Sequence, residues 1–245
     1  LNKVGMDPLT GGHMGPPLRN CISICVLIRQ LADGDLSLPF YESRVTSYQP
    51  LMTKRKKLTA LTFLAIFALG AFFRLVGLNW DQDQHLHPDE RFLTMVGMDI
   101  KWPKNIKEYF NTRLSPLNPY NQGHSFFVYG TLPLFLNKKL ALLLNHDNYN
   151  DFNLLGRQLA AFFDLGTLIL VGLSAKKLLP GKNWLWAPFF YSISVLPIQL
   201  AHFFTVDPFL NFFLVLAFLF LVNAQKSKRL FWLGLSGTAL GAALA

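Results

Sequence analysis

An apolar run of membrane-spanning length, from Leu58 to Leu78, constrains the fold of this chain most. A helix rises about 1.5 Å per residue, so roughly 20 apolar residues cross the ~30 Å hydrocarbon core of a bilayer. Further apolar runs fill the second half, and the 245 residues are 51% hydrophobic but only 15% charged. The sequence therefore predicts an all-α, polytopic membrane protein and excludes an ordinary soluble domain.

The apolar runs predict membrane spans near residues 58–78, 159–178, 184–204, 207–224 and 230–245. A polar outer loop, 79–124, follows the first span, and we expect part of it to be helical. The next segment, 125–144, is apolar but contains Asn137, Lys138 and Lys139. If it crossed the bilayer, the basic clusters after it would lie outside, against the usual bias. We leave it open as a span or, as the charges favour, a surface-lying or re-entrant segment.

Basic clusters predict the orientation of the chain. They lie at residues 54–57, at residues 176, 177 and 182, and at residues 226, 228 and 229, each beside an apolar run. This pattern places the N-terminus in the cytoplasm, and a bacterial source would put the protein in the inner membrane. The net charge of +9 thus indicates topology, and we expect no nucleic-acid partner.

Residues 1–51 differ in composition from the rest, with Gly/Pro-rich stretches and no run long enough to span. Met52, followed by basic residues and an apolar helix, resembles a natural start. We expect 1–51 to be a non-native or disordered extension, and 52–245 to be the N-terminal part of a longer transmembrane domain. The extension holds both cysteines, Cys21 and Cys25, whose spacing alone supports neither a metal site nor a disulfide.

The stretch His85-Leu86-His87-Pro88-Asp89-Glu90-Arg91 brings an acidic pair to a membrane surface directly after the first span. A carboxylate at a water-poor interface suits a general base that takes a proton from a hydroxyl. Pro88 equally suits the first turn of a helix, where acids stabilise the N-terminus. Both interpretations of Asp89 and Glu90 remain open from the residues alone.

Two further acids lie within or between apolar runs. Asp207 lies between two of them, where an ionisable group needs water, a partner or a cation. It either meets such a group or caps the helix that begins at Pro208. Asp164 lies inside its run, and pairing with Arg157, about two turns earlier, or with a lysine is the plainer account of it.

His85, His87 and His124 suggest a metal site with Asp89, but the pattern is loose and no cysteine supports it. We therefore expect no metal ligands. The carboxylates would suit a hard divalent cation better than zinc, so a divalent cation is the one cofactor left open.

The order of several motifs resembles a family of membrane-embedded glycosyltransferases, the protein O-mannosyltransferase and aminoarabinose transferase type. The first span ends in Phe73-Arg74-Leu75, and Asp89-Glu90 follows in the outer loop. A Pro-Leu aromatic segment comes next, 129–135, and then a helix that begins at an arginine and ends in lysines, 157–177. The acid between two helices, Asp207, completes the series.

The resemblance implies a GT-C type transmembrane bundle, of which this chain is the N-terminal part. It implies a polyprenyl-phosphate sugar as donor, a hydroxyl of a protein, lipid or glycan as acceptor, and contact with the bilayer. Asp89 corresponds to the general base, with Glu90 beside it as a catalytic residue. The expected substrate-binding residues are Asp207, Arg91, His87, His124, Tyr129 and Lys138.

One departure concerns the cation that binds phosphate. Thr131 and Leu132 occupy places where the family often has a basic residue and a double proline. Arg91, His124, Lys138 and Arg74 are the remaining candidates. No residue here identifies the sugar, and an oligosaccharide-transferring enzyme on the same fold stays open. The alternative from another class is a transporter or membrane assembly subunit, with Asp164 and Asp207 as an ion or proton relay.

Overall fold

The computed structural model describes residues 41–245, with side chains described at residue 54 and from residue 56 onward. The chain divides into two compact units, Leu1–Lys56 and Lys57–Ala245. Cys21, Cys25 and most of the predicted extension 1–51 lie outside the described residues, so the expectation for that segment stays a prediction.

The described part of the chain is helical and contains no strand, which confirms the predicted all-α, polytopic class. Of the helices within residues 41–245, three are long and apolar enough to cross a membrane: Lys56–Leu75, Tyr149–Leu178 and Asp207–Ser227. The α-helices of this part are α1 (Tyr41–Leu75), α2 (Pro88–Asp99), α3 (Ile106–Phe110), α4 (Thr131–Leu144), α5 (Tyr149–Leu178), α6 (Trp186–Ile193), α7 (Val195–Leu200), α8 (Asp207–Ser227) and α9 (Leu230–Leu244).

Helices α1 and α5 pack antiparallel. Phe63, about three turns before the end of α1, lies beside Gly172, late in α5, while Arg74 at the end of α1 pairs with Asp164, earlier in α5. Helix α5 begins ten residues before the predicted 159, because Asn148 caps it by accepting a hydrogen bond from the Asp151 N–H at 3.1 Å.

The predicted span 184–204 is not one continuous helix. Helix α6 ends at Ile193, Ser194 is extended (φ −67°, ψ 127°), and the short helix α7 follows. Pro197 has no N–H to donate to the carbonyl of Ile193. In addition, the Arg74 guanidinium donates to the carbonyls of Tyr191 and Ser192, at 3.1 and 3.0 Å. The side chain from α1 thus replaces the helical partners that the break removes.

Helices α8 and α9 form an antiparallel pair, shown by Ser236 Oγ donating to the Ala217 carbonyl at 3.1 Å. At the C-terminal end of α8, Lys226 Nζ donates to the carbonyl of Lys177, near the end of α5. We call this region, with Lys176, Lys177, Lys182 and Lys226, the basic end of the bundle.

The opposite end of the bundle holds α2, α4 and the loops between α1 and α5. Helix α4 has 14 residues, about 21 Å in length, and is not among the three candidate spans. It packs on the beginning of α5, where Asn137 Nδ2 donates to the Phe152 carbonyl at 2.9 Å. The apolar residues that these helices bury include Leu93, Leu134, Phe152 and Phe204.

Candidate active site

The predicted acidic pair lies in the first turn of α2. Pro88 begins the helix, and the N-cap His87 accepts a hydrogen bond from the Glu90 N–H through Nδ1, at 3.4 Å. Successive residues of a helix point about 100° apart, so the two carboxylates separate. Asp89 is exposed, whereas Glu90 is completely buried.

Glu90 belongs to a buried cluster with Arg157 and Asp81, which we call the acid–arginine cluster. Arg157 donates from Nε and Nη2 to the two oxygens of Glu90, at 2.6 and 2.8 Å. It also donates from Nη1 and Nη2 to the two oxygens of Asp81, at 2.9 and 2.8 Å. The Phe204 N–H adds a third donor to Glu90, at 2.9 Å. Every oxygen of both acids is therefore bound by protein.

Asp81 was missed by the sequence analysis, although it follows the first span directly. Hydrogen bonds from Arg157 hold the pKa of Asp81 at about 2, against an ordinary 3.8 and in spite of its burial. Arg157 could have indicated Asp81 from the sequence, because a cation in an apolar run needs an acidic partner and the loop after α1 contains one.

Asp89 remains free to meet a substrate, and its orientation is fixed by one phenol. Tyr129, in the loop before α4, donates its hydroxyl to Asp89 Oδ1 at 2.8 Å. Burial raises the pKa of Tyr129 to about 12, and the hydrogen bond and charge of Asp89 and the charge of Asp207 add to the rise. The phenol consequently stays a hydrogen-bond donor at neutral pH.

The structure brings Asp89 and Tyr129 into direct contact, and Asp207 lies on the same side of the bundle, where its charge contributes to the raised pKa of Tyr129. The Asp207 side chain is exposed and makes no capping hydrogen bond to α8, whose N-cap is Val206. The interpretation of Asp207 as a helix cap is therefore wrong. His87 lies on the same side and stacks on Phe203, with ring centroids 4.3 Å apart.

Most of the candidate phosphate-binding cations already have acidic partners. Lys138 is buried and binds both oxygens of Asp147, at 2.8 and 3.1 Å. His124 Nε2 lies 2.9 Å from Asp99. Arg74 is buried in the bundle interior. Arg91 is exposed and forms no ion pair among the described residues.

Asp164 has a different partner from the predicted Arg157 or lysine. One oxygen pairs with Nε of Arg74, and the other accepts the Tyr191 hydroxyl. The structural interpretation of a buried ion pair was correct in kind, but the arginine comes from α1. Seven residues separate Arg157 from Asp164, about 10 Å along one helix, which is too far for a direct pair.

The described residues contain no group of three or more histidine, cysteine or acidic side chains placed to hold a metal ion. Asp89, the acid predicted beside His85 and His87, has Tyr129 as its partner.

The helical fold and one family comparison both agree with a class of protein, the membrane glycosyltransferases. Residues 131–245 match the family model of dolichyl-phosphate-mannose-protein mannosyltransferase, which belongs to the GT-C glycosyltransferases. The match confirms the predicted resemblance over those residues and supports a mannosyltransferase class. It begins at the first residue of α4 and includes Arg157 and Asp207, while Asp89 and Glu90 precede it. Comparisons with curated proteins and with solved structures gave no match.

Proposed function

We propose that the protein transfers a sugar, by its family a mannosyl group, from a polyprenyl-phosphate carrier to an acceptor hydroxyl, with Asp89 as general base. One observation carries this proposal. Of the adjacent acids, Asp89 is exposed and held by Tyr129, whereas both oxygens of Glu90 are bound by Arg157. Asp89 is thus the acid of the pair that is available to a substrate.

The chemistry requires few groups. Asp89 takes the proton of the acceptor hydroxyl while the acceptor oxygen forms a bond to the anomeric carbon of the sugar. The bond from that carbon to the phosphate oxygen breaks, and the phosphate leaves on its lipid carrier with the electron pair. A cation beside the departing phosphate stabilises its charge. Arg91, exposed and two residues after Asp89, is our candidate for that cation.

In this proposal Glu90 is a positioning residue and does not itself take the proton. It anchors the start of α2 to α5 through Arg157 and to the segment before α8 through the Phe204 N–H. The same anchoring fixes the direction in which Asp89 points. We assign Asp207 to acceptor binding, because it is exposed at the start of α8 and its charge acts on Tyr129.

The family's name points to a protein acceptor. A lipid or glycan hydroxyl offers the same nucleophile, so the acceptor class is tested by offering peptides and glycolipids to one preparation with one donor. We expect transfer to the peptide.

The decisive experiment measures sugar transfer by the full-length protein in membranes, with radiolabelled polyprenyl-phosphate mannose as donor. We expect Asp89→Asn to lose at least about a hundredfold in rate, since general-base catalysis contributes roughly that much or more. Asp83→Asn is the matched control, because Asp83 is an exposed acid of the same loop. Undiminished transfer by Asp89→Asn would remove Asp89 as base. A protein that moves a solute and transfers no sugar would support the transporter, with Asp164 and Asp207 as the relay.

A further inference from the structure

An apolar groove lies on the bundle far from the candidate active site, between α1 and the beginning of α6. Its volume is about 520 Å³. Ile66 and Leu69 line one wall, and Trp186 and Phe189 line the other. The groove follows α1 from Thr62 to Leu69, about 10 Å along the helix.

One end of the groove is polar and positively charged. Lys182 and Asn183 line it there, and both are exposed. A second lysine lies close by: Lys176 Nζ is 5.7 Å from the ring centroid of Trp184. That ring in turn packs on Phe63, next to the groove residue Thr62, with centroids 5.5 Å apart. Among the described residues that line the groove, none is acidic.

We expect the apolar part of the groove to face the hydrocarbon region of a bilayer. It lies on α1, one of the candidate spans, whose Leu61 and Leu64 are exposed beside it. Lipid tails are as apolar as these side chains, so the walls alone select no particular lipid. Selection has to come from the lysines at the polar end.

We propose that this groove binds an acyl chain of an acidic glycerophospholipid, with the headgroup phosphate at Lys182. The charge of the groove's polar end complements a phosphate, and the apolar walls continue from it in the direction in which the acyl chain runs. The site lies at the basic end, where lysines also mark the membrane surface, whereas Asp89 and Tyr129 lie at the other end. The occupant is therefore a structural lipid of the leaflet at the basic end and is distinct from the sugar donor.

Photo-crosslinking tests the site directly. The full-length protein is reconstituted in nanodiscs with phosphatidylglycerol or phosphatidylcholine that carries a photoreactive group on one acyl chain, and the adducts are mapped by mass spectrometry. The attraction of one lysine to acidic lipid corresponds to roughly a fivefold preference. We expect labelling of α1 residues 62–69 to be about fivefold higher with phosphatidylglycerol.

Variants separate the headgroup from the tail. Lys182→Gln removes the preference and Lys182→Arg keeps it, while Ala65→Trp fills the groove and lowers labelling by both lipids. Arg229→Gln is the matched control, because Arg229 is an exposed cation near the same end that does not line this groove. These lysine changes lie on an exposed loop, so each variant is expected to fold.

Four results would overturn the proposal. Equal labelling by the two lipids, or a preference that survives Lys182→Gln, would show that Lys182 does not bind the headgroup. Absence of labelling at residues 62–69 with both lipids would show that no acyl chain occupies the groove. Loss of labelling when polyprenyl phosphate is added would assign the groove to the sugar carrier.

Discussion

Arg157 holds Glu90 through two hydrogen bonds, at 2.6 and 2.8 Å, although 67 positions of sequence separate the two residues. The same guanidinium binds both oxygens of Asp81. One buried cation therefore joins the loop after α1, the start of α2 and the interior of α5. Asp89 directly precedes Glu90, so the direction of its side chain depends on this junction.

Removal of Arg157 should damage the fold more than removal of Glu90. Arg157→Gln leaves Asp81 and Glu90 buried without a cation, and breaking a buried pair costs about 3–5 kcal/mol. Glu90→Gln leaves Arg157 paired with Asp81 and is expected to cost less. Thermal unfolding of the detergent-solubilised variants checks the order. A larger loss of stability in Glu90→Gln would contradict the shared role of Arg157.

Asp81 should stabilise the protein down to low pH. Its folded pKa of about 2 lies below the ordinary 3.8, so its contribution is fully present above pH 3.8 and is lost as the pH falls toward 2. Asp81→Asn is expected to lower the free energy of unfolding by about 2 kcal/mol at neutral pH. Denaturant unfolding between pH 7 and pH 3 measures this difference, which should stay constant down to about pH 4 and then shrink. Asp83→Asn should leave stability unchanged at every pH.

Tyr129→Phe should slow sugar transfer while the protein stays folded. A hydrogen bond to a charged group contributes about 1.5 kcal/mol or more, so its loss lowers the rate about tenfold if the bond orients Asp89 for proton transfer. Initial rates at saturating donor measure the effect. Tyr109→Phe serves as control, because Tyr109 is exposed in the same outer loop. Equal rates in Tyr129→Phe and wild type would exclude an orienting role.

Gly156→Ala should disturb the site indirectly, through Phe204. A Cβ at Gly156 would overlap the ring of Phe204, a fully buried residue whose N–H binds Glu90. Overpacking of this kind costs about 1–3 kcal/mol. We expect lower thermal stability together with slower transfer. Gly234→Ala is the control, since nothing lies within 4 Å of a Cβ there and alanine favours a helix.

Arg74 and Asp164 should behave as a coupled pair. Arg74→Met and Asp164→Leu each leave one buried charge without its partner and should destabilise strongly, whereas the double variant removes both charges. A double-mutant cycle on thermal stability should show the double variant to be less destabilised than the sum of the two single variants. Additive losses would show that other groups neutralise each charge.

The long apolar runs predicted α1, α5 and α8, because length and hydropathy decide which segments suit a bilayer. The partners of the buried charges could not be predicted from the sequence. The short separation of Arg157 and Asp164 suggested that these two residues pair, whereas tertiary packing brings Asp81 and Glu90 to Arg157. Pro197 indicated the break between α6 and α7. The strong hydropathy of residues 184–204 nevertheless led to the prediction of one continuous span. Asp89 was predictable as an exposed acid at a helix start, but the role of Tyr129 as its donor needed the structure.

Two charged contacts at different heights join α5 to α1 and to the loop after it: Arg74 of α1 with Asp164, and Arg157 with the Leu78 carbonyl and Asp81 of the loop. The arginine belongs to α1 in the first contact and to α5 in the second. A slip of one residue moves a helix about 1.5 Å along its axis and turns its side chains by about 100°, so any slip breaks both contacts together. The two arginines therefore fix one register of α1 against α5. That register also sets the height of Asp81 above the membrane span.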